Sequence, residues 1–327
     1  MLPQDFFSDL NISRTRFDIK YDKGKKPEIF TGSAWRGILG SGLQKTLCPF
    51  TLKKGRGCVE GCLSQDSCPY MMLFRKQSSL PGRHNAPKGY TLYSLPDARN
   101  GQELLNVTLF GDCRQFLLPV SEILRRAGQQ GLTRRRCRFE IVEEETLRPF
   151  HADLSKSSFP LAEWISSDGL TSDRVFAFHY PVRLARKDKK TKVKKILRRM
   201  DWTFFFLSAV RKLDDLHCIY NGGTPLDLET IKRLESMFQG WDNITDTLTW
   251  KELWRRSGPQ DQKIPLGGLV GNVRVKRCTP VQYAWLQAAG LVGVGKARVM
   301  GLGRIIEQTK AKQDIPNNKG GRKWQDQ

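Results

Sequence analysis

A glycine-rich segment late in the sequence combines a permissive backbone with positive charge. It spans residues 293–304 and reads Gly-Val-Gly-Lys-Ala-Arg-Val-Met-Gly-Leu-Gly-Arg. Glycine has no Cβ, so a phosphate can approach main-chain N–H groups closely, and Lys296, Arg298 and Arg304 supply charge. We predict that these cations bind a nucleic acid together with the four glycines, Gly293, Gly295, Gly301 and Gly303. A flexible surface loop with solvated cations is the alternative.

The composition of the whole chain favours the first interpretation. The 327 residues include 55 Lys and Arg against 33 Asp and Glu, which gives a formal net charge of +22. Such an excess of positive charge is typical of proteins that bind a polyanion. No apolar run approaches the roughly 18 residues of a membrane-spanning helix, and the first residues lack the cations of a signal peptide. We therefore expect a cytoplasmic protein without a membrane partner.

Two further segments concentrate positive charge. Residues 183–199 hold ten Lys or Arg and one acid, and we predict an RNA-contacting segment rather than a basic disordered loop. Its candidate residues are Arg183, Lys194, Lys195, Arg198 and Arg199. Residues 125–138 hold six cations and no acid, including Arg134, Arg135 and Arg136. Arginine favours forked contacts with phosphates, although a solvated turn also explains this segment.

Four of the eight cysteines lie close together in the sequence, at Cys48, Cys58, Cys62 and Cys68. Four thiolates are enough to complete a tetrahedral zinc shell. Their spacing is irregular and lacks the paired Cys-x2-Cys of a strong zinc signature, so thiols without a metal are the alternative. A structural zinc there would stabilise a segment with little apolar core of its own.

Hydrophobic patterning predicts a mixed α and β chain. Residues 15–21 and 104–110 alternate as strands, and the stretch from Ser33 to Leu47 has helical periodicity. With a helix over 119–127 and a strand over 138–144, the order is that of a ferredoxin-like fold. In the second half we predict a strand over 174–184, helices over 201–220, 226–238 and 280–289, a strand over 268–276, and one strand carrying Leu248, Trp250 and Trp254.

These patterns divide the chain into three parts. We expect an N-terminal domain over residues 1–165 with a Cys-containing loop insertion at 48–90, and a C-terminal domain over residues 166–310. The second domain carries the basic segment and the glycine-rich loop. Residues 311–327 are polar and lack periodicity, which predicts a disordered tail.

Several separated motifs follow one another along the chain. They are Phe30-Thr-Gly-Ser-Ala-Trp-Arg36-Gly-Ile-Leu-Gly40, the cysteines ending in Cys68-Pro-Tyr70, Leu109-Phe110-Gly111, Tyr180-Pro-Val-Arg183-Leu, Trp254-Arg-Arg256-Ser257, Gly267-Gly-Leu-Val-Gly271 and the glycine-rich loop. Together they resemble the motifs of the CRISPR-associated repeat-processing endoribonucleases of the RAMP superfamily. The resemblance extends from about Phe17 to Ile306. It implies an α+β chain of two tandem ferredoxin-like (RRM-like) domains, with the glycine-rich loop lying over RNA.

The resemblance also implies an activity. Relatives bind the hairpin of a CRISPR repeat and cut precursor crRNA without a metal cofactor, by attack of a ribose 2′-OH on the adjacent phosphate. The product has a 2′,3′-cyclic phosphate, and the protein can stay bound to the mature crRNA and to other effector subunits. Such a reaction needs a base, an acid and cations that stabilise the developing charge.

The usual catalytic histidine is missing, because residues 33–47 contain none and Gly293 stands where the loop often has one. We therefore consider Arg36, Lys45, Tyr21 and His179 as catalytic candidates. Histidine-poor relatives occur in type IV CRISPR systems. Two other functions stay open: a non-catalytic RAMP subunit that binds or caps crRNA, and a zinc-containing DNA-binding regulator.

Overall fold

A computed structural model describes the chain except residues 23–26, 28–29, 49–61, 63–66, 79, 82–85, 97–101, 134, 150–151, 167–170, 188–192, 257–261 and 309–327. Cys58, Arg134, the end of the Cys-containing insertion around His84 and the tail predicted to be disordered therefore lie outside the described residues. None of the described helices is both long enough and apolar enough to cross a lipid bilayer.

The first half of the chain forms an antiparallel sheet covered by helices. A short helix α1 (Gln4–Phe7) precedes β1 (Asn11–Tyr21), α2 (Gly32–Leu47), β2 (Tyr90–Pro96), β3 (Gln102–Phe110), α3 (Leu117–Gln130) and β4 (Phe139–Leu147). The strand order is β2-β3-β1-β4, which is the order of a ferredoxin-like sheet. The helical stripe of α2 explains its position, because Trp35, Leu39 and Leu43 are fully buried in the core.

Residues after β4 return to the first sheet before the chain enters the second. β5 (Phe159–Pro160) pairs with the start of β1, and the short helix α4 (Leu161–Trp164) follows it directly. This pairing keeps residues 159–164 against the first sheet. The exact domain boundary near residue 165 stays a prediction.

The second half repeats the same topology with different lengths. It contains β6 (Ser172–Val182), β7 (Ala185–Lys187), β8 (Lys194–Ile196), α5 (Trp202–Asn221), α6 (Leu228–Gln239), β9 (Ile244–Asp246), β10 (Thr249–Lys251), β11 (Trp254–Arg256), β12 (Lys263–Pro265), β13 (Gly268–Cys278), α7 (Pro280–Val292) and β14 (Ile306–Glu307). The order β10-β13-β6-β14 corresponds strand for strand to that of the first sheet. The predicted tandem ferredoxin-like fold is therefore confirmed.

Aromatic side chains form much of the core in the second half. Phe206 packs against Phe238 and Trp241, with ring centroids 5.2 Å and 4.8 Å apart, and Phe238 also contacts Trp285 at 5.3 Å. α5, α6 and α7 each contribute one of these rings, and Trp241 follows α6 directly, so ring contacts join the three helices. The apolar core is continuous from the first half to the second.

Two details of the predicted elements were wrong. Residues 48–90 are not entirely a loop, because they include a π-helical turn at Met71–Arg75 and the first residue of β2. Leu248, Trp250 and Trp254 do not share a strand: β10 holds Trp250 and pairs with β13, whereas β11 holds Trp254 and pairs with β12. In the second case a short interruption between two strands separates residues that the alternating pattern had placed on one strand.

Candidate nucleic-acid interface

The glycine-rich loop, residues 293–304, lies between the two sheets. On one side, the N–H of Lys296 donates to the carbonyl of Arg183 and the N–H of Gly303 donates to that of Pro181, at 2.9 Å and 3.0 Å. On the other side, a Cβ at Gly301 would lie 2.8 Å from the carbonyl oxygen of Leu92 in β2. The loop thus joins the second sheet to the first.

The main-chain conformation of this loop itself requires its glycines. All four have positive φ angles, between 67° and 91°, which side chains rarely tolerate. A Cβ at Gly303 would lie 1.8 Å from the carbonyl oxygen of Val294. The N–H groups of Gly293, Gly301 and Gly303 donate to protein carbonyls. The expectation that a phosphate binds these three N–H groups is therefore not supported.

Arg298 has a buried position within the loop. Only 5% of its surface is exposed, and its guanidinium donates to the carbonyl of Val292 at 3.1 Å and to that of Lys88. Burial lowers the pKa of Arg298 to about 10. The side chain links the end of α7 to the segment before β2, so in this structure its donors serve the protein rather than a surface ligand.

The other two cations of the loop have different surroundings. Lys296 is exposed and remains a candidate for RNA contact. The guanidinium carbon of Arg304 lies 4.7 Å from the ring centroid of Tyr93 in β2, and burial lowers the pKa of Arg304. Only Lys296 of the three presents its charge openly to solvent.

A cluster of four cations, which we call the α2 cation cluster, forms beside the second turn of α2. It consists of Arg36, Arg75, Lys88 and Arg255. Burial lowers the pKa of Lys88, and the nearby charges of Arg36 and Arg75 lower it further. Burial and the charge of Arg36 likewise lower the pKa of Arg255. Like charges held this close favour binding of an anion.

Aromatic rings and a carbonyl hold this cluster in place. The guanidinium carbon of Arg36 lies 5.3 Å from the ring centroid of Phe74, which stacks on Tyr70 at 5.4 Å. The ammonium of Lys88 donates to the carbonyl of Lys76 at 3.3 Å. Arg75 and Lys88 are far from Arg36 in sequence, and Arg255 comes from β11, so no sequence motif unites them. Sequence reasoning missed three of the four.

Lys45 is separated from Arg36 by helix geometry. Both lie on α2, but nine residues at about 100° each place their side chains on opposite faces, and about 1.5 Å of rise per residue separates them by roughly 13 Å. Lys45 is exposed in the last turn. The structure therefore does not bring these two catalytic candidates together.

Tyr21 is buried below the start of α2. Its hydroxyl donates to Glu103 Oε2 at 2.5 Å, while Thr31 and Trp35 donate to Glu103 Oε1 at 2.5 Å and 3.1 Å. Burial, reinforced by Glu103, raises the pKa of Tyr21 above its ordinary value. Tyr21 is 5% exposed, and its contact anchors the end of α2 that carries Arg36.

The two histidines that the structure describes lie on different elements. His179 is exposed on β6, where its Nε2 lies 3.3 Å from Nε2 of Gln308. His217 is buried in α5, with Nε2 2.9 Å from Asp9 Oδ1 in the first half of the chain. His84 and His151 fall outside the described residues. A catalytic role for His179 stays a prediction.

The basic segment over 183–199 folds partly into a hairpin formed by β7 and β8. Arg186 pairs with Asp201 at 2.6 Å, and the Arg198 guanidinium carbon lies 3.6 Å from the Trp250 ring centroid. Of the residues predicted to contact RNA in this segment, Lys194, Lys195, Arg198 and Arg199 are exposed, whereas burial lowers the pKa of Arg183. Lys194 and Lys195 lie on β8 of the hairpin, and Arg198 and Arg199 follow it.

Two arginines of α3 are paired with acids, one from β4 and one from the same helix. Arg125 pairs with Glu144 at 2.6 Å, and Arg126 pairs with Glu122 at 2.5 Å. Arg135 and Arg136 are exposed in the turn that follows. These two remain candidates for RNA contact.

The zinc prediction stays open. Cys48, Cys62 and Cys68 are partly buried, and Cys58 lies outside the described residues. Within the part of the chain that the structure describes, no three His, Cys, Asp or Glu side chains are placed to hold a metal ion. The set of four cysteines therefore cannot be assembled from the described residues alone.

Comparisons with protein families match both halves of the chain. Residues 10–160 match a family model described as AF_1859_N, an N-terminal domain, and residues 176–305 match one described as CRISPR-associated endoribonuclease Cas6. A search of curated proteins gives no match.

Comparisons with solved structures agree on the fold. A Cas6 product complex superposes with a TM-score of 0.55 at 14% identity, covering 91% of this chain and 99% of that one. Thermus thermophilus Cas6 gives 0.50 at 14% identity, covering 92% and 99%. A partial Cas6-RT-Cas1–Cas2 complex gives 0.50 at 14% identity, covering 94% of this chain and 47% of that one. At such identities the likeness establishes a shared fold.

Proposed function

We propose that this chain, whose residues 176–305 match the Cas6 family model and whose fold is that of a Cas6 product complex, binds a CRISPR repeat hairpin and cleaves precursor crRNA without a metal ion. The solved relatives include a product complex, and another is part of a Cas6-RT-Cas1–Cas2 assembly. By analogy, the mature crRNA and other CRISPR subunits are the partners that we propose. A protein with this activity would work in the cytoplasm.

The α2 cation cluster is the observation on which the proposal rests. Four cations converge from α2, the π-helical turn, the segment before β2 and β11, and no described acid contributes to the shifted pKa of Lys88 or Arg255. A phosphodiester is the abundant anion on RNA, and a site of this charge would stabilise the extra negative charge that its transition state develops. We propose that the scissile phosphate binds there.

The residues of the cluster would have different roles in the reaction. Attack forms a bond between the 2′ oxygen and phosphorus, the proton of the 2′-OH passes to solvent, and the bond from phosphorus to the 5′ oxygen breaks. Arginine stays protonated, so Arg36, Arg75 and Arg255 would stabilise the equatorial phosphate oxygens. Lys88 would donate its proton to the departing 5′ oxygen, since its lowered pKa makes the ammonium a stronger acid.

The test is single-turnover cleavage of end-labelled repeat RNA in excess EDTA. We expect one discrete cut, a 2′,3′-cyclic phosphate on the upstream product and a 5′-OH on the downstream product. A substrate with 2′-deoxyribose at the cut should bind with unchanged affinity and remain intact. Cleavage that EDTA abolishes, or that the 2′-deoxy substrate still undergoes, would exclude the mechanism.

A non-catalytic subunit that caps crRNA is the second candidate. The observation in its favour is the lack of histidine over residues 33–47, which removes the usual base of the family. Tight binding of the repeat hairpin with no cut over hours would support it. Preference for duplex DNA, together with one equivalent of zinc in metal analysis, would instead support a DNA-binding regulator.

A further inference from the structure

Two arginines whose charges interact come from the first sheet and from the glycine-rich loop. Arg14 lies on β1 with its guanidinium carbon 5.0 Å from the ring centroid of Trp164, and Arg304 reaches the same region over Tyr93. Burial lowers the pKa of Arg14 to about 9, and the charge of Arg304 lowers it further. We call these two residues the guanidinium pair.

Several polar atoms around the guanidinium pair are shielded from solvent and unpartnered within the described part of the chain. They are Nε of Arg14, Nη1 of Arg304 and the hydroxyls of Tyr93 and Thr108. Thr108 on β3 is the direct partner of Arg14 in the sheet register, so the two side chains share a face. Tyr93 on β2 belongs to that same face, because its partner Asn106 lies two residues from Thr108 along β3. Buried polar groups in native proteins are almost always hydrogen-bonded.

A neighbouring arginine on the same face is paired with acidic side chains. Arg16 lies two residues along β1 on the same face, where it contacts Asp18 Oδ1 and Glu145 Oε2, each at 2.9 Å. Arg14 has no such acid among the described residues, and its cross-strand neighbour on β4 is Leu147. Arg14 and Arg304 are both partly buried, and like charges that are shielded from water are costly without a counter-charge. A bound anion would supply that counter-charge.

We propose that the guanidinium pair, with the hydroxyls of Tyr93 and Thr108, is a binding site for a phosphate group. Guanidinium and hydroxyl groups are both hydrogen-bond donors, which suits a tetrahedral oxyanion with several acceptor oxygens. The site differs from the α2 cation cluster in its residues. This site rests on the proposed function only for the source of the phosphate. That source is either the backbone of bound RNA or a small phosphate ion.

The first experiment measures thermal unfolding with inorganic phosphate at low millimolar concentration, against sodium chloride of equal ionic strength. We expect phosphate to raise the Tm of the wild-type protein by about 3 °C or more. Arg14→Gln should raise the Tm without phosphate, because it removes one of two repelling charges, and should abolish the phosphate-dependent rise. Arg16→Gln, the matched control, should lower the Tm and keep the rise. Equal phosphate responses in wild type and Arg14→Gln would overturn the proposal.

The second experiment identifies the source of the phosphate. If RNA supplies it, Arg14→Gln should weaken hairpin RNA binding about tenfold and reduce the salt slope of log K by about one. An unchanged RNA affinity with a lost phosphate response assigns the site to a small phosphate ion. If the wild-type protein is stabilised by phosphate but ignores repeat RNA, the phosphate site stands and the proposed function fails.

Discussion

The glycine-rich loop and the α2 cation cluster carry positive charge in opposite ways. The loop is contiguous in sequence, yet its glycines accommodate protein carbonyls and Arg298 is buried between Val292 and Lys88. The cluster is scattered over residues 36–255, yet it gathers four cations at one place. A motif that resembles a phosphate-binding loop can therefore be a scaffold, while the charges suited to chemistry come from separate segments.

The two regions are also physically connected. A Cβ at Gly32, the first residue of α2, would lie 1.9 Å from the carbonyl oxygen of Met300 in the loop. The loop thus fixes the start of the helix that carries Arg36, and the Lys88 carbonyl binds Arg298. We infer that the loop positions the cluster, so that damage to the loop should act through stability.

Arg298→Ala should have the largest effect, and it should be on folding. The change leaves two buried carbonyls without their donor and opens a cavity, which costs roughly 2–4 kcal/mol of unfolding free energy. Urea denaturation followed by circular dichroism measures it. If the variant keeps wild-type stability but binds RNA more weakly, Arg298 belongs to the RNA interface, as the sequence analysis predicted. That result would contradict the contrast between the glycine-rich loop and the α2 cation cluster.

Arg36→Ala should have the next largest effect, on cleavage. Loss of a cation that stabilises the transition state costs about 100-fold in rate, or roughly 2.7 kcal/mol, with little change in Tm. Lys45→Ala, on the opposite face of α2, is the matched control and should keep the single-turnover rate within about threefold. Equal loss in both variants would contradict the assignment of the phosphate to one face of the helix.

The pH dependence of cleavage should report Lys88. If its ammonium is the acid, the rate falls as pH rises through a pKa that burial, Arg36 and Arg75 hold below the ordinary value for lysine. Lys88→Arg keeps the charge but should remove this alkaline decline and lower the maximum rate. Lys45→Arg should leave the profile unchanged. An unaltered profile in Lys88→Arg would exclude Lys88 as the acid.

Lys296→Ala should have the smallest effect. As the exposed cation of the glycine-rich loop, Lys296 should contribute one phosphate contact, worth a few-fold in RNA affinity and about one unit of salt slope. Filter binding over a series of salt concentrations measures both quantities. An unchanged salt slope would remove the loop from the RNA interface altogether.

The fold was largely predictable from sequence, because its signals are local. The periodicity of residues 33–47 predicted α2, and alternation predicted residues 15–21 of β1. β2 was missed because it follows a long stretch of sequence without hydrophobic periodicity and because its residues, such as Leu92 and Tyr93, are buried on both faces without alternation. Pairing with β3 defines that strand, and such long-range pairing leaves no local trace.

The site was less predictable, for the same reason. Arg36 was identified from its motif, but Arg75, Lys88 and Arg255 come together only through the tertiary fold. Arg125 seemed uncompensated within its own segment until β4 supplied Glu144. The charges within one stretch of sequence therefore do not show which cations cluster in the fold. Nor do they show which cations are neutralised by an acid from a distant segment.

The most direct test of the central claim is a structure of the protein with repeat RNA that carries 2′-deoxyribose at the cut. The account predicts that the scissile phosphorus lies within about 5 Å of the guanidinium of Arg36, with Lys88 within hydrogen-bond reach of the 5′ oxygen. A scissile phosphate bound instead against the glycine-rich loop, away from α2, would contradict it.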